Sequence, residues 1–286
     1  MVGALGEVGR SLGRALRDLD HEIVPVSSRP MVEGSDVVPL DEATDAIASG
    51  GIELVVHAGG RGDKRVAPRD PLRITRLVGE ACEEGGVRGV LVSTLRVLES
   101  ASGSVSGAAP ADCNTDYARA NAMNEREWLS AAPSQGHVLR LANYLCAPAG
   151  LDSPQAKLLP WSLVTEALSS GRITVRSAPT VARDFVSAVD VARAVLLIAR
   201  EDTADSVCAT VPAFHMDLQQ MTDCVRRAFE AGGFPEPLVT FGTDEVASPA
   251  LETDWLAANG WACSLTEVDV RHLVGEWLSD HGAVPR

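Results

Sequence analysis

The sequence predicts an α/β fold: a doubly wound parallel sheet with a smaller, partly helical C-terminal region built onto it. Three observations carry this reading. Strand-like apolar runs alternate with helical patterns through the first two thirds of the chain. Those runs are nearly continuous in apolar residues, as strands covered on both faces require. A glycine-rich turn at the N-terminus leads straight into a helix.

The elements follow in order. Val2-Gly3-Ala4-Leu5-Gly6-Glu7-Val8-Gly9-Arg10 is a G-x-x-G-x-x-G pattern, and a helical stretch runs from Val8 to Leu19. Glycines let backbone approach a phosphate closely, and a helix N-terminus offers free N–H groups and partial positive charge. Strands are expected at His21 to Val26, Glu53 to His57, Val87 to Ser93 and His137 to Leu141. Helices are expected at Arg73 to Glu84 and Asp116 to Ala131. The first strand–turn–helix–strand unit thus reads as a dinucleotide-binding βαβ, a Rossmann unit, placing Gly3, Leu5, Gly6 and Gly9 at a cofactor. Only Met1 and Val2 precede the first glycine, so the expectation is a truncated first strand and a true start upstream of Met1.

Beyond residue 150 the rhythm changes to Pro, Gly and short helical patterns, with an αβ pair at Arg183 to Arg200 and a last helix from Thr266 to Leu278. The expected organisation is a dinucleotide-binding domain over residues 1–150 and a smaller region over 151–286. Residues 183–200 are expected to return to the first sheet. Trp255, Trp261 and Trp277 read as core of the smaller region.

Composition closes several classes. The chain has 286 residues, 45% of them apolar, and a net charge of −14 from 39 acids and 25 bases. A nucleic-acid binder needs a basic surface to neutralise phosphates, so nucleic acid is not an expected partner. No apolar run approaches the roughly 18 residues that span a bilayer, so no membrane is expected either. Cys82, Cys113, Cys146, Cys208, Cys224 and Cys263 are widely spaced, with no C-x-x-C pair. They read as free thiols of a cytoplasmic protein, and no metal site is expected.

The end of the second strand should meet the adenine ribose. Ser27-Ser28-Arg29 stands there in place of an acidic residue. Hydroxyls and a guanidinium suit a 2′-phosphate, which favours NADP, with NAD the alternative. Arg29 as a solvated loop residue is the competing reading.

Together these residues resemble the extended short-chain dehydrogenase/reductases of the NAD-dependent epimerase/dehydratase type. The resemblance rests on the glycine turn, on Val55-Val56-His57-Ala58, on Val92-Ser93-Thr94, on the Tyr117 helix, and on Arg183-Asp184-Phe185-Val186 with Val189-Asp190-Val191-Ala192. Asn259-Gly260-Trp261 and Ser264-Leu265-Thr266-Glu267 extend it to the tail. It implies a nicotinamide cofactor, a small C-terminal substrate-binding region formed mainly by 151–286, a small-molecule substrate that is often a nucleotide sugar, and a homodimer formed through the Tyr117 helix and its neighbour. It implies Thr94 and Tyr117 as the catalytic hydroxyl and acid/base, and His57 and Ala58 beside the cofactor. Asn143 and Arg183 are implied at the substrate. Alternatives from the residues alone are a strand-end capping role for Thr94 and an ion pair of Arg183 with Asp184 or Asp190.

The sequence departs from that family at its most telling position. Four residues after Tyr117 stands Asn121, where the family has the lysine that lowers the tyrosine's pKa and holds the nicotinamide ribose. A free tyrosine ionises near pH 10 and is a poor base at neutrality without a nearby ammonium. Asparagine keeps a hydrogen bond to the ribose but carries no charge. Tyr117 and Asn121 are therefore expected to contact the cofactor, with Asn121 in the lysine's place among the catalytic residues. The expected activity is an NAD(P)-dependent reductase or epimerase acting on a carbonyl or carbinol. The alternative is a family member that binds dinucleotide and does no redox chemistry.

Overall fold

Val2 stands between two strands in the computed structural model of the chain, bridging Val26 on one side and His57 on the other, both in parallel. The structure describes residues 1–27, 36–59, 71–101, 104–200, 206–211, 213–245, 250–252 and 255–281. In chain order its first part runs α1 (Glu7–Asp18), β1 (Val26–Ser27), β2 (Val38–Pro39), α2 (Leu40–Ala48), β3 (Leu54–His57), α3 (Pro71–Gly85), β4 (Arg88–Thr94), β5 (Ser104–Ser106), α4 (Asp116–Ala131) and β6 (Gly136–Leu141). It continues with β7 (Asn143–Leu145), α5 (Trp161–Ser170), β8 (Arg172–Ser177), β9 (Ala182–Ser187), α6 (Ala188–Arg200), β10 (Cys208–Thr210) and β11 (Phe214–Asp217). Then come α7 (Leu218–Ala231), β12 (Leu238–Asp244), β13 (Ala250–Glu252), α8 (Trp255–Ala258) and α9 (Glu267–His281).

The chain divides into two units. The first comprises Met1–Ala142, Ala188–Pro212 and Pro249–Ala262. Its sheet has the order β2-β1-Val2-β3-β4-β6-β10, with every pairing parallel. The order reverses direction at Val2, which makes this the switch point where α/β sheets hold ligands at the carboxyl ends of their strands. Helix α1 packs on α6, while α2, α3 and α4 pack in a row. The core joins Val2, Val26, Val55, Leu91 and Val138 of the sheet to Val78, Cys82 and Trp128 of α3 and α4. The six residues of β6 are all buried, as a central parallel strand requires. This is a Rossmann sheet, as its sequence pattern predicts.

The expected strand His21 to Val26 is reduced to Val26–Ser27. Its ladder with the N-terminal residues is short: the Met1 ammonium donates to Val24 O, Val26 N to Met1 O, and Gly3 N to Val26 O. A strand is defined by its partners, and pairing here spans only these residues.

The second unit comprises Asn143–Ser187, Ala213–Ser248 and Cys263–Arg286. It holds a three-stranded sheet of order β11-β9-β7, with β9 antiparallel to β11 and parallel to β7, and a parallel pair β8–β12. Helices α5, α7 and α9 supply Trp161, Met221 and Trp277 to a core that includes Phe185 and Met216. Trp277 Nε1 donates to Pro148 O at 3.0 Å, which satisfies the indole N–H that burial would otherwise strand. Within the segment 183–200, α6 lies in the first unit, whereas β9 pairs with β7 and β11 of the second. Sheet continuity beside β6 comes instead from β10. Trp255 and Trp261 fall in the first unit, and only Trp277 of the three joins the second unit's core.

Candidate functional site

The glycine turn folds as a close stack of backbone. Gly3 has φ +79°, a conformation that L side chains rarely adopt. Gly6 N donates to Gly3 O at 3.0 Å, and Arg10 N donates to Gly6 O at 2.9 Å, opening α1. A Cβ on Gly9 would lie 2.2 Å from Gly3 O, so only glycine lets α1 start this close to the turn. Gly6 is the N-cap of α1 and, having no side chain, makes no side-chain cap to the first amides of the helix. Leu5, at the tip of the turn, is 42% exposed. These features fit a pyrophosphate: a side-chain-free approach, an uncapped helix start and the switch point of the sheet coincide.

Ser28 and Arg29, expected at the adenine ribose, lie outside the described residues. Ser27 closes β1 and is buried.

His57 ends β3 and is buried, its ring tilted against Trp128 with centroids 5.8 Å apart. Gly59 N donates to its Nδ1 at 3.3 Å. Burial, and secondarily the positive charge of the Met1 amine, push its pKa down to about 4, so the ring is neutral at physiological pH. Ala58 is tied to the turn through its own amide, which donates to Val2 O at 2.9 Å.

Thr94 is the last residue of β4. Its Oγ1 accepts from Arg96 N at 3.2 Å and caps a short 3₁₀ turn, Leu95–Leu98. That turn ends at Glu99, whose carboxylate reaches across to the start of α4. Glu99 Oε1 accepts from Thr115 N at 2.8 Å and Asn114 N at 3.4 Å, while Oε2 takes the Arg96 guanidinium at 2.7 Å. Thr115 in turn caps α4, its hydroxyl accepting from Ala118 N. The segments carrying Thr94 and Tyr117 are thus fastened to each other through Glu99.

Tyr117 lies in the first turn of α4 and is 52% exposed. Asn121 does not extend from the helix; its Nδ2 donates back to Tyr117 O at 2.9 Å. Arg119, on another side of the helix, is engaged by Asp116 at 2.7 Å and by Asn114 O. Lys64 lies outside the described residues.

Asn143 and Arg183 belong to the second unit. Asn143 opens β7 and its Nδ2 donates to Asp184 O at 2.8 Å. Arg183 Nη1 donates to Ala182 O at 2.8 Å. Asp184 pairs with His215 at 2.9 Å, and Asp190 with Arg193 at 3.7 Å.

Sequence reasoning missed a second layer of polar residues. Glu125, Ser93 and Arg140 form a buried cluster, and Thr75 and Asn124 stand buried behind His57. An arginine in the middle of the apolar strand HVLRL was the available signal, since a buried guanidinium demands a buried partner. Among the described residues, no group of three or more His, Cys, Asp or Glu could hold a metal. No described helix is long and apolar enough to cross a membrane.

Comparison with known proteins agrees with this architecture. The chain is similar to MoeE5, solved with UDP-glucuronic acid and NAD, at 19% identity, covering 98% of each chain with a TM-score of 0.72. It is similar to DesIV, a dTDP-glucose 4,6-dehydratase from Streptomyces venezuelae, at 16% identity, covering 98% of this chain and 96% of that one, with a TM-score of 0.70. A UDP-glucuronic acid 4-epimerase from Bacillus cereus, solved with UDP-glucuronic acid and NAD, aligns at 14% identity over 98% of each chain with a TM-score of 0.68. Identities this low bear on the fold alone. Comparison with curated protein sequences gives no match. Residues 1–208 match the model of the NAD dependent epimerase/dehydratase family, and the chain belongs to that family.

Proposed function

We propose that this protein is a nicotinamide-dinucleotide-dependent oxidoreductase or epimerase acting on a carbonyl or carbinol of a nucleotide sugar or related small molecule. The observation that carries the reading is the glycine turn: Gly3, Gly6 and Gly9 stack without side chains at the switch point of a Rossmann sheet, in front of an uncapped helix. The dinucleotide, when bound, supplies or accepts the hydride. This chain's own residues do the rest. The turn and the first amides of α1 hold the pyrophosphate. Thr94 and Tyr117 flank the reacting oxygen, with the Tyr117 phenol giving or taking its proton. Asn121 is near enough in sequence to hydrogen-bond the ribose after releasing Tyr117 O. In the second unit, Asn143 and Arg183 are assigned to the substrate, the guanidinium suiting a diphosphate. Ser28 and Arg29 favour NADP(H), whereas the similar structures named above with UDP-glucuronic acid were solved with NAD.

Calorimetric titration with NADPH and NADH, followed by turnover assays with UDP- and dTDP-sugars and with simple ketones, tests the reading. Micromolar binding of one dinucleotide, and turnover lost in Tyr117→Phe with binding intact, is the expected result. Failure of both dinucleotides to bind would overturn it.

A second reading has its own observation. Asn121 spends its amide on Tyr117 O, and no ammonium stands four residues from the phenol. That arrangement suits a protein that binds dinucleotide without redox chemistry. Tight binding with no turnover on any sugar nucleotide, unchanged in Asn121→Lys, would favour it.

A further inference from the structure

Behind the glycine turn lies a file of close backbone contacts that ends on an imidazole. A Cβ on Gly9 would lie 2.2 Å from Gly3 O; one on Gly3 would lie 2.7 Å from Gly59 N; one on Gly59 would lie 2.7 Å from His57 Cε1. Each layer leaves no room for a side chain on the next. The His57 ring is therefore the wall against which Gly59, Gly3 and Gly9 stack.

The ring is itself held in one orientation and one tautomer. Gly59 N–H donates to Nδ1, so Nδ1 is the unprotonated nitrogen and Nε2 carries the proton. Nε2 lies 3.0 Å from Thr75 Oγ1 and donates to it. Thr75 has one hydroxyl proton, and it goes to Asn124 Oδ1 at 3.0 Å. The bonds run in one direction, from Gly59 through His57 and Thr75 to Asn124. His57 and Thr75 are 1% and 0% exposed, so water cannot substitute for either of them. Asn124 lies seven residues after Tyr117 on α4, two helical turns along the same face.

We propose that His57, Thr75 and Asn124 form a positioning relay that sets the glycine cradle from behind and ties it to the Tyr117 helix. His57 acts on a bound dinucleotide through Gly59 and Gly3, without touching it. This rests on the reading above that a dinucleotide occupies the turn. The Nε2–H tautomer is the working state. Reversing it would aim two N–H groups at each other at Gly59 and lose the contact that seats the stack. A second consequence is coupling: a change at Asn124 reaches the cradle although α4 contributes no residue to it.

The test uses the full chain and four variants. Thr75→Val keeps the volume and removes the acceptor of His57 Nε2–H; Thr75→Ser keeps the hydroxyl. Asn124→Leu removes the far end, and Asn124→Asp keeps an acceptor. Two readouts are taken: calorimetric affinity for the dinucleotide that the wild type binds, and the His57 tautomer with the exchange rate of the Gly59 amide by nitrogen-15 NMR. Expected are the Nε2–H tautomer and a protected Gly59 amide in wild type. About tenfold weaker dinucleotide binding is expected in Thr75→Val and Asn124→Leu, with fast Gly59 exchange, and near wild-type values in Thr75→Ser and Asn124→Asp. An Nδ1–H tautomer in the wild type overturns the proposal, even if every variant fails to fold. So does a folded Thr75→Val that binds dinucleotide as the wild type does. If the wild type binds no dinucleotide, the functional reading above falls, and the relay is then judged by tautomer and Gly59 exchange alone.

Discussion

Arg140 of β6 and Glu125 of α4 form a forked ion pair, Nε to Oε1 at 3.1 Å and Nη2 to Oε2 at 2.8 Å, with both side chains more than nine-tenths buried. Ser93 Oγ adds a hydrogen bond to Oε1 at 2.5 Å. The remaining guanidinium nitrogen, Nη1, donates to Gly107 O at 2.9 Å and Ala109 O at 2.6 Å. One buried arginine thus ties the Tyr117 helix, the end of β4 and the loop before α4 to the central sheet. Removing one partner leaves a buried charge unpaired, whereas removing both removes the desolvation cost as well. Arg140→Met is expected to lower stability by about 3–5 kcal/mol, and Glu125→Met with Arg140→Met to recover most of it. Urea unfolding of the single and double variants checks this; equal losses in both would refute it. Proteolysis between residues 104 and 115 should rise in both, because both release Gly107 and Ala109.

Acid should destabilise the fold before its carboxylates titrate. His57 is held neutral down to about pH 4, against an ordinary imidazole value near 6.5, chiefly by burial. Burial, with Arg88 nearby, does the same to His137. Between these values the unfolded chain binds protons that the folded one refuses, so stability falls as pH drops from 6.5 to 4 and is lost to that extent below. For His57 the loss is roughly 3 kcal/mol. Unfolding midpoints at pH 7, 5.5 and 4.5 should decline, with a shallower decline in His57→Gln. A flat profile across that window would contradict the neutral assignment.

How much of this was legible in the sequence depends on where the information sits. Helix α4 is expected from Asp116 to Ala131 and spans those residues in the structure, with Thr115 as its cap. Strands β3, β4 and β6 were legible because parallel strands buried on both faces are continuous in apolar residues. Helix α7 also advertised itself, through Asp217 and Gln220 in a capping box and Leu218, Met221, Val225 and Phe229 on one face, yet the Pro- and Gly-rich surroundings obscured it. Strand β1 was over-predicted because β propensity at His21 to Val26 says nothing about the length of its partner. Of the site, the glycine turn is legible in local pattern, and Tyr117 only through the family resemblance. Thr75, Asn124, Glu125 and Arg140 act only through partners 15 to 49 residues away, a pairing set by tertiary packing that no local spacing encodes.

Glu99 should matter more than its surface position implies. Its carboxylate receives the amides of Asn114 and Thr115 and the Arg96 guanidinium. The hydrogen bond from Thr115, foremost, holds its pKa down to about 2. A depressed carboxylate stabilises the fold above its ordinary value of 4.5 and loses that effect as pH falls toward 2. Glu99→Gln keeps the shape but weakens acceptance, and about 1 kcal/mol of stability should go, as for loss of a helix cap. Amide exchange in the first turn of α4 should quicken; unchanged exchange at Ala118 and Arg119 would show that Glu99 does not secure that turn.

The glycines of the turn should differ in their tolerance. A Cβ at Gly9 meets Gly3 O at 2.2 Å, and that atom is backbone; a Cβ at Gly6 meets the same atom at 3.3 Å, which a small shift relieves. Gly9→Ala should therefore abolish dinucleotide binding and cost several kcal/mol of stability, whereas Gly6→Ala should fold near normally. Thermal melts and calorimetric titration of the pair read this directly. Comparable losses in both would mean that crowding at Gly3 is not what the third glycine answers.

Asn121 offers the sharpest test of the chemistry. One helical turn separates it from Tyr117, so a longer cationic side chain placed there can reach the phenol's surroundings. Its present amide bond to Tyr117 O is solvent-accessible and contributes little to stability. Asn121→Lys should then fold as the wild type does while adding an ammonium that favours phenolate over phenol. If Tyr117 transfers the proton, the pH optimum should move toward neutrality and turnover at pH 7 should rise about tenfold, the effect of one pKa unit. Tyr117→Phe in the same background should erase the gain. A gain that survives Tyr117→Phe would assign the proton transfer to another group, and no turnover at any pH in either the wild type or Asn121→Lys would leave dinucleotide binding without redox chemistry as the protein's activity.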